Sequence, residues 1–273
     1  MFNSGVVFGP ENDNYHKKFG YKLSSNSEKM FKKSEFSYVA RTNAHGFRED
    51  EIVPKDTGAY RSMFIGDSMF WGVGVDAENT ISSLVEKASN ANGIEHFESL
   101  NYAISGYNTV QEYLIAESYL DSTEANHLIL GFFVANDILP NAVAFIDEHG
   151  NYATDTVMRE RIKDLYQEEM GIFFHSVFCR VLAMKLFVPR GRYKIAANDE
   201  IIGKSFKLLD KFKRLARRRN VNLSVVVLYP RDAVQGGLVQ WWSQSRIPGA
   251  MVADYCRQKD IEVLDMLDFM NTS

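Results

Sequence analysis

Three short stretches of this chain carry the residue types that acyl chemistry uses. Residues 64–75 read FIGDSMFWGVGV, an apolar run that stops abruptly at Gly66, Asp67 and Ser68. A serine hydroxyl is a weak nucleophile that needs exposure and a neighbouring base. A tight turn at a strand end supplies the exposure, and Gly66 lets the chain bend there. Residues 101–109 read NYAISGYNT, where Gly106 has no side chain to block a substrate, and residues 134–138 read VANDI, where Asn136 brings a side-chain amide. A tetrahedral intermediate formed at Ser68 needs hydrogen-bond donors at its oxyanion. The candidates are the backbone N–H of Ser68, the backbone N–H of Gly106 and the amide of Asn136. Asp67 and Asp137 flank these residues and are expected to hold the loops by hydrogen bonding.

The elements that must position these residues alternate regularly. Strand one is predicted over 61–66, a helix over 77–90, strand two over 97–103, a helix over 109–120 and strand three over 126–134. After an interruption, a helix over 204–219 carries Phe206, Leu208, Leu209, Phe212 and Leu215 on one face. It leads to strand four over 221–230, a helix over 248–260 and strand five over 261–267. Apolar strands alternating with helices predict an α/β fold, a three-layer α/β/α arrangement with a parallel five-stranded sheet covered on both faces. Each of the three stretches then falls at a strand end, where such sheets hold their ligands. Residues 1–60 are polar with weak periodicity and read as an irregular N-terminal extension to a domain over 61–273. Residues 138–200 break the rhythm and read as an insertion that caps the site or packs on a distant sheet face. Arg217, Arg218 and Arg219 close a helix, where cations suit the dipole on a solvated face.

FIGDSMFWG, SGYNT and VANDI together resemble the first three blocks of the SGNH/GDSL hydrolases, over about residues 61–268. That resemblance implies a flavodoxin-like fold, Ser68 as nucleophile, and Gly106 and Asn136 in the oxyanion hole. It implies esters, acetylated sugars or lipids as substrates, with no cofactor. FGYKLSSNS and TNAHGFRED, upstream, are similar to leaders found before the first block in bacterial, envelope-associated members. Two departures stand out. Val134 occupies the place of the third block's usual glycine, and the closing Asp-x-x-His block, which supplies the base and its orienting acid, is absent. The chain ends DMLDFMNTS. Asp265 matches the acid that ends the fifth strand, and Asp268 has no histidine three residues on.

The six histidines are His16, His45, His96, His127, His149 and His175, and none follows strand five. Each reads as a surface or packing residue, with His149 or His175 the substitute base if the chain is active alone. The leading expectation is a catalytic unit that lacks its last segment and shows little activity as it stands. Three functions stay open: a serine esterase acting on a carbohydrate or small ester, an acyltransferase using the same serine, and a non-catalytic binding module that keeps the cleft. Gly72, Gly74 and Ala77 also fit a dinucleotide fingerprint, but the turn at Gly66 comes too early and no acidic residue ends strand two.

Composition narrows the rest. A chain of 273 residues, 45% hydrophobic, can bury a sizeable core. A net charge of −4 without single-sign blocks argues against a nucleic-acid partner. No His/Cys pair has metal-ligand spacing, and two cysteines make no disulfide framework. The start MFNSGVVFGP has neither the basic opening nor the apolar core of a signal segment, which points to the cytoplasm for the chain as given, whereas the resemblance favours an extracytoplasmic setting. The apolar stretch 171–188 carries His175, Arg180 and Lys185, so it is expected to be a buried or surface-docked helix rather than a membrane span.

Overall fold

In a computed structural model of the protein, residues 14–94, 96–170, 190–235 and 244–272 are described. The leader contains β1 (Tyr15–His16) paired with β2 (Gly20–Tyr21), and β3 (Glu28–Lys32) paired with β4 (Ser37–Arg41). Two antiparallel hairpins therefore stand where the sequence suggests only irregular chain. Their strands are two to five residues long, too short for an alternating pattern to register.

The alternating region follows as β5 (Tyr60–Ile65), α1 (Ser68–Trp71), α2 (Ile81–Ala91), β6 (Phe97–Asn101), α3 (Thr109–Tyr119), β7 (His127–Phe133) and α4 (Val134–Val143). A short hairpin comes next, β8 (Ala144–Ile146) and β9 (Tyr152–Thr154), then α5 (Thr156–Met170), α6 (Asp199–Arg219), β10 (Asn222–Leu228), α7 (Arg231–Gln235), α8 (Ile247–Gln258), β11 (Glu262–Asp265) and α9 (Met266–Thr272). Five strands form a parallel sheet flanked by helices, in the order β11–β10–β7–β5–β6. Counted along the chain this is two-one-three-four-five, the flavodoxin-like order. The central strands are buried on both faces: Met63, Phe64 and Ile65 in β5, and Leu128, Leu130 and Phe132 in β7, are all at most 2% exposed. That is why they read as continuous apolar runs.

Two strand ends differ from the sequence expectation. The third strand stops at Phe133 because the Asp137 carboxylate turns back to accept the Phe133 N–H at 2.6 Å, and the helix begins at Val134. The fifth stops at Asp265. There the carboxylate accepts the Leu267 N–H at 3.0 Å and the Tyr229 hydroxyl at 2.9 Å, so Met266 and Leu267 enter a helix rather than prolong the strand. The apolar stretch 171–188 lies outside the described residues. Among the described residues no helix is long and apolar enough to cross a membrane.

The edge strand β6 is closed by side chains rather than by another strand. Its Phe97 N–H goes to Asn90 Oδ1 at 3.0 Å, its Ser99 N–H to Glu86 Oε2 at 2.6 Å and its Asn101 N–H to Glu49 Oε2 at 2.6 Å. Asn90 and Glu86 lie one turn apart on α2, and Glu49 comes from the leader. Occupying the outward N–H groups removes the template for edge-to-edge pairing.

Residue contacts divide the chain into two compact units. One comprises Met1–Ile129, Phe145–Ala153 and Leu215–Asn222. The other comprises Leu130–Ala144, Thr154–Arg214 and Leu223–Ser273. In the first, Arg217 to Arg219 are exposed and Arg219 pairs with Asp121 at 2.7 Å. In the second, Ile201, Ile202, Leu209 and Phe212 of α6 are fully buried, and Phe206 stacks on Tyr255 at 4.1 Å.

Candidate active site

The first two sequence blocks meet within the first unit. Strands β5 and β6 run parallel with Phe64 opposite Asn101. Beyond that register the pairing continues into the turns: the Tyr102 N–H donates to Phe64 O at 2.8 Å, and the Ile104 N–H donates to Gly66 O at 3.0 Å. Ser68 and Gly106 therefore leave the sheet at the same end, a few residues past bonded partners.

Ser68 opens α1, and Asp67 caps it, its carboxylate accepting the Met69 N–H at 2.9 Å. Asp67 is buried, and Ser68 is the partly exposed residue after it. As the first residue of a helix, Ser68 has an N–H with no intrahelical acceptor. A Cβ at Gly66 would lie 3.1 Å from the Phe70 side chain, which would have to give by a few tenths of an ångström. After one turn the helix ends at Gly72, in the left-handed region with φ of 83°.

In the second block, Gly106 has φ of +88° and precedes Tyr107 and Asn108. Asn108 caps α3 in a reciprocal box with Gln111. A leader residue absent from the sequence expectation borders this loop: Tyr21 donates from its hydroxyl to Ser105 O at 2.6 Å. Burial, with Tyr152, Asp67 and Glu112 nearby, pushes its phenol well above the usual tyrosine range. Tyr152, from the segment read as an insertion, accepts from Asn108 Nδ2 at 3.1 Å, and its N–H meets Lys18 O at 2.9 Å. Part of that segment thus lies beside the second block.

The leader and the second strand both brace the serine turn. Arg48 donates to the carbonyls of Trp71 and Gly72, and Asn101 Nδ2 donates to Phe70 O at 3.0 Å while its Oδ1 accepts the Ala103 N–H at 3.1 Å. The FGYKL and HGFRE stretches hold Tyr21 and Arg48, and their likeness to family leaders was the one sequence signal pointing to them.

The third block is in the second unit. Asn136 is partly exposed on the first turn of α4, and Asp137 is fully buried beneath it. Arg192, in a helical stretch over 190–196, donates to Ala135 O beside Asn136. Val134, where the resembling family has glycine, is the first residue of α4 and is 3% exposed.

No described side chain bonds the Ser68 hydroxyl. His16 stacks on Phe19, His45 meets the Tyr119 ring edge, His127 faces Tyr60, and exposed His149 lies 3.7 Å from Glu148. His175 falls outside the described residues. Among the described residues no group of three His, Cys, Asp or Glu side chains is arranged to hold a metal ion.

No family model matches the sequence, and no curated protein matches it. Among solved structures the fold is similar to that of AlinE4, an SGNH-hydrolase family esterase, at 13% identity over 77% of each chain with a TM-score of 0.43. It is similar to the psychrotrophic esterase EstA from Pseudoalteromonas sp. at 12% identity, over 76% of this chain and 79% of that one, with a TM-score of 0.42. A G-D-S-L family protein from Desulfitobacterium hafniense DCB-2 matches at 12% identity over 75% and 76% of the two chains, with a TM-score of 0.39. Many of the solved structures to which this fold is similar are SGNH-hydrolase family esterases and G-D-S-L lipolytic proteins.

Proposed function

We propose that this chain carries the nucleophile and oxyanion hole of a serine-dependent ester hydrolase of the SGNH/GDSL type. Ser68 Oγ attacks the ester carbonyl. The negative charge that develops on the carbonyl oxygen is met by the N–H groups of Ser68 and Gly106, and the amide of Asn136 is a further donor that the motif resemblance alone suggests. The alcohol leaves, and water then cleaves the acyl-serine. Asp67 and Asp137 hold the two helix starts through their hydrogen bonds to Met69 and Phe133. An acyl or acetyl ester of a carbohydrate or small alcohol is the substrate class that the motif resemblance suggests. No cofactor is required.

The observation that carries this reading is the pair of bonds from Tyr102 to Phe64 and from Ile104 to Gly66, which sets the serine turn beside the glycine turn. The strand order adds support, since ligands of flavodoxin-like sheets bind at the carboxyl ends flanking the switch point. A second reading, a non-catalytic binding module, rests on the Ser68 hydroxyl, which no described side chain bonds.

The two readings separate in a labelling experiment. Ser68 should react with a fluorophosphonate, and imidazole added as an external base should accelerate that reaction. Ser68→Ala should abolish both. Labelling elsewhere, or none with imidazole present, would leave the binding module. Acetyl transfer to a sugar in preference to hydrolysis would favour the acyltransferase.

A further inference from the structure

The Tyr21 hydroxyl bonds the carbonyl of Ser105, and Ser105 O and Gly106 N belong to one peptide unit. A trans peptide is planar with its C=O and N–H opposed. Whatever fixes the carbonyl therefore fixes the direction of the N–H. We infer that Tyr21 is a positioning residue for the Gly106 N–H: it pins the Ser105–Gly106 peptide from the carbonyl side so that the amide stays aimed away from Tyr21. The catalytic meaning of this rests on the proposed function above, in which that amide is an oxyanion donor. The hold on the peptide does not.

Four features make Tyr21 suited to this. Its position is rigid, because Tyr107 donates its own hydroxyl to Tyr21 O and the two rings meet edge to face at 4.8 Å. Gln111 Nε2, on the first turn of α3, donates to Phe19 O at 2.8 Å and anchors the same hairpin. Tyr21 stays a donor, since burial disfavours its phenolate. Gly106 is held to glycine twice over: its φ of +88° disfavours any side chain, and a Cβ there would lie 2.9 Å from Tyr21 Oη. A hydrogen bond to the carbonyl also polarises the peptide and strengthens the N–H as a donor. The hairpin carrying Tyr21 is thus part of the site, although it precedes the serine by more than forty residues.

The test substitutes Tyr21→Phe and follows two independent signals. The first is the amide resonance and hydrogen exchange of Gly106 in 15N-labelled protein, which should shift and speed up. The second is Ser68-dependent hydrolysis of p-nitrophenyl acetate, with imidazole as external base where needed. Here kcat should fall about tenfold with KM nearly unchanged, less than the loss of a whole oxyanion donor. An unmoved Gly106 amide overturns the inference whatever the activity. So does an unchanged kcat in protein whose wild-type turnover depends on Ser68. A moved amide in protein with no Ser68-dependent turnover supports the hold of Tyr21 on the peptide and sinks the hydrolase reading instead. Should Tyr21→Phe fail to fold, the 13C carbonyl shift of Ser105 in the wild type decides: a value typical of an unbonded carbonyl overturns the inference.

Discussion

The guanidinium of Arg48 donates to the carbonyl of Gly72 at 2.7 Å, tying a leader residue to the end of the one-turn helix that Ser68 opens. The same group reaches Trp71 O at 3.0 Å, Val75 O at 2.7 Å and Val39 O at 3.2 Å, and it stacks on Trp71 and Tyr38. The loop after the serine is therefore wrapped around a cation supplied by the leader.

Arg48→Met should accordingly cost about 3 kcal/mol or more, since it strands the buried carbonyls of Trp71 and Gly72 at about 1–3 kcal/mol each. Arg48→Lys should recover little, because an ammonium cannot fork across four acceptors. Urea midpoints measure both. A Lys variant as stable as wild type would show that charge alone, not the planar fork, organises the loop.

Asp67→Ala removes the cap of α1 and should lose about 1 kcal/mol. Asp67→Asn keeps an oxygen for the Met69 N–H and should lose less. If the two variants melt together, the cap contributes nothing to stability.

Glu49 makes stability depend on pH. Burial, with Asp50 and Glu86 close by, pushes its carboxyl up to about 7 from an ordinary value of 4.5, against the opposing pull of the Asn101 and Asp50 amides. The folded protein therefore holds this proton more tightly than the unfolded chain does. The associated stability is fully present below about pH 4.5 and is lost as pH rises through 7. Between pH 5 and 8 the wild type should lose more stability than Glu49→Gln. Parallel curves for the two proteins would rule out this coupling.

Asn136→Ala tests the third block. If its amide meets the oxyanion, kcat should fall about 10²–10³-fold with KM little changed. An unchanged kcat in a Ser68-dependent assay would remove Asn136 from the mechanism.

What the sequence determined by itself was local in origin. The continuous apolar runs of β5 and β7 mark strands buried on both faces, the 3.6-residue spacing of α2 and α6 marks covering helices, and their alternation leads to a parallel sheet. The Gly66–Ser68 turn and the glycine of the second block were legible because each needs a residue type that few other settings demand. Strand ends were less legible. Asp137 and Asp265 end their strands by turning a carboxylate back on the main chain, and an apolar count does not register that. Only the tertiary structure decided what the leader does. Tyr21 meets Ser105 across 84 residues, Glu49 meets Asn101 across 52, and Arg48 meets Gly72 across 24. None of the three belongs to a periodic pattern. Each makes hydrogen bonds to main-chain atoms, which every residue carries, so nothing in the partner's side-chain identity foretells the contact.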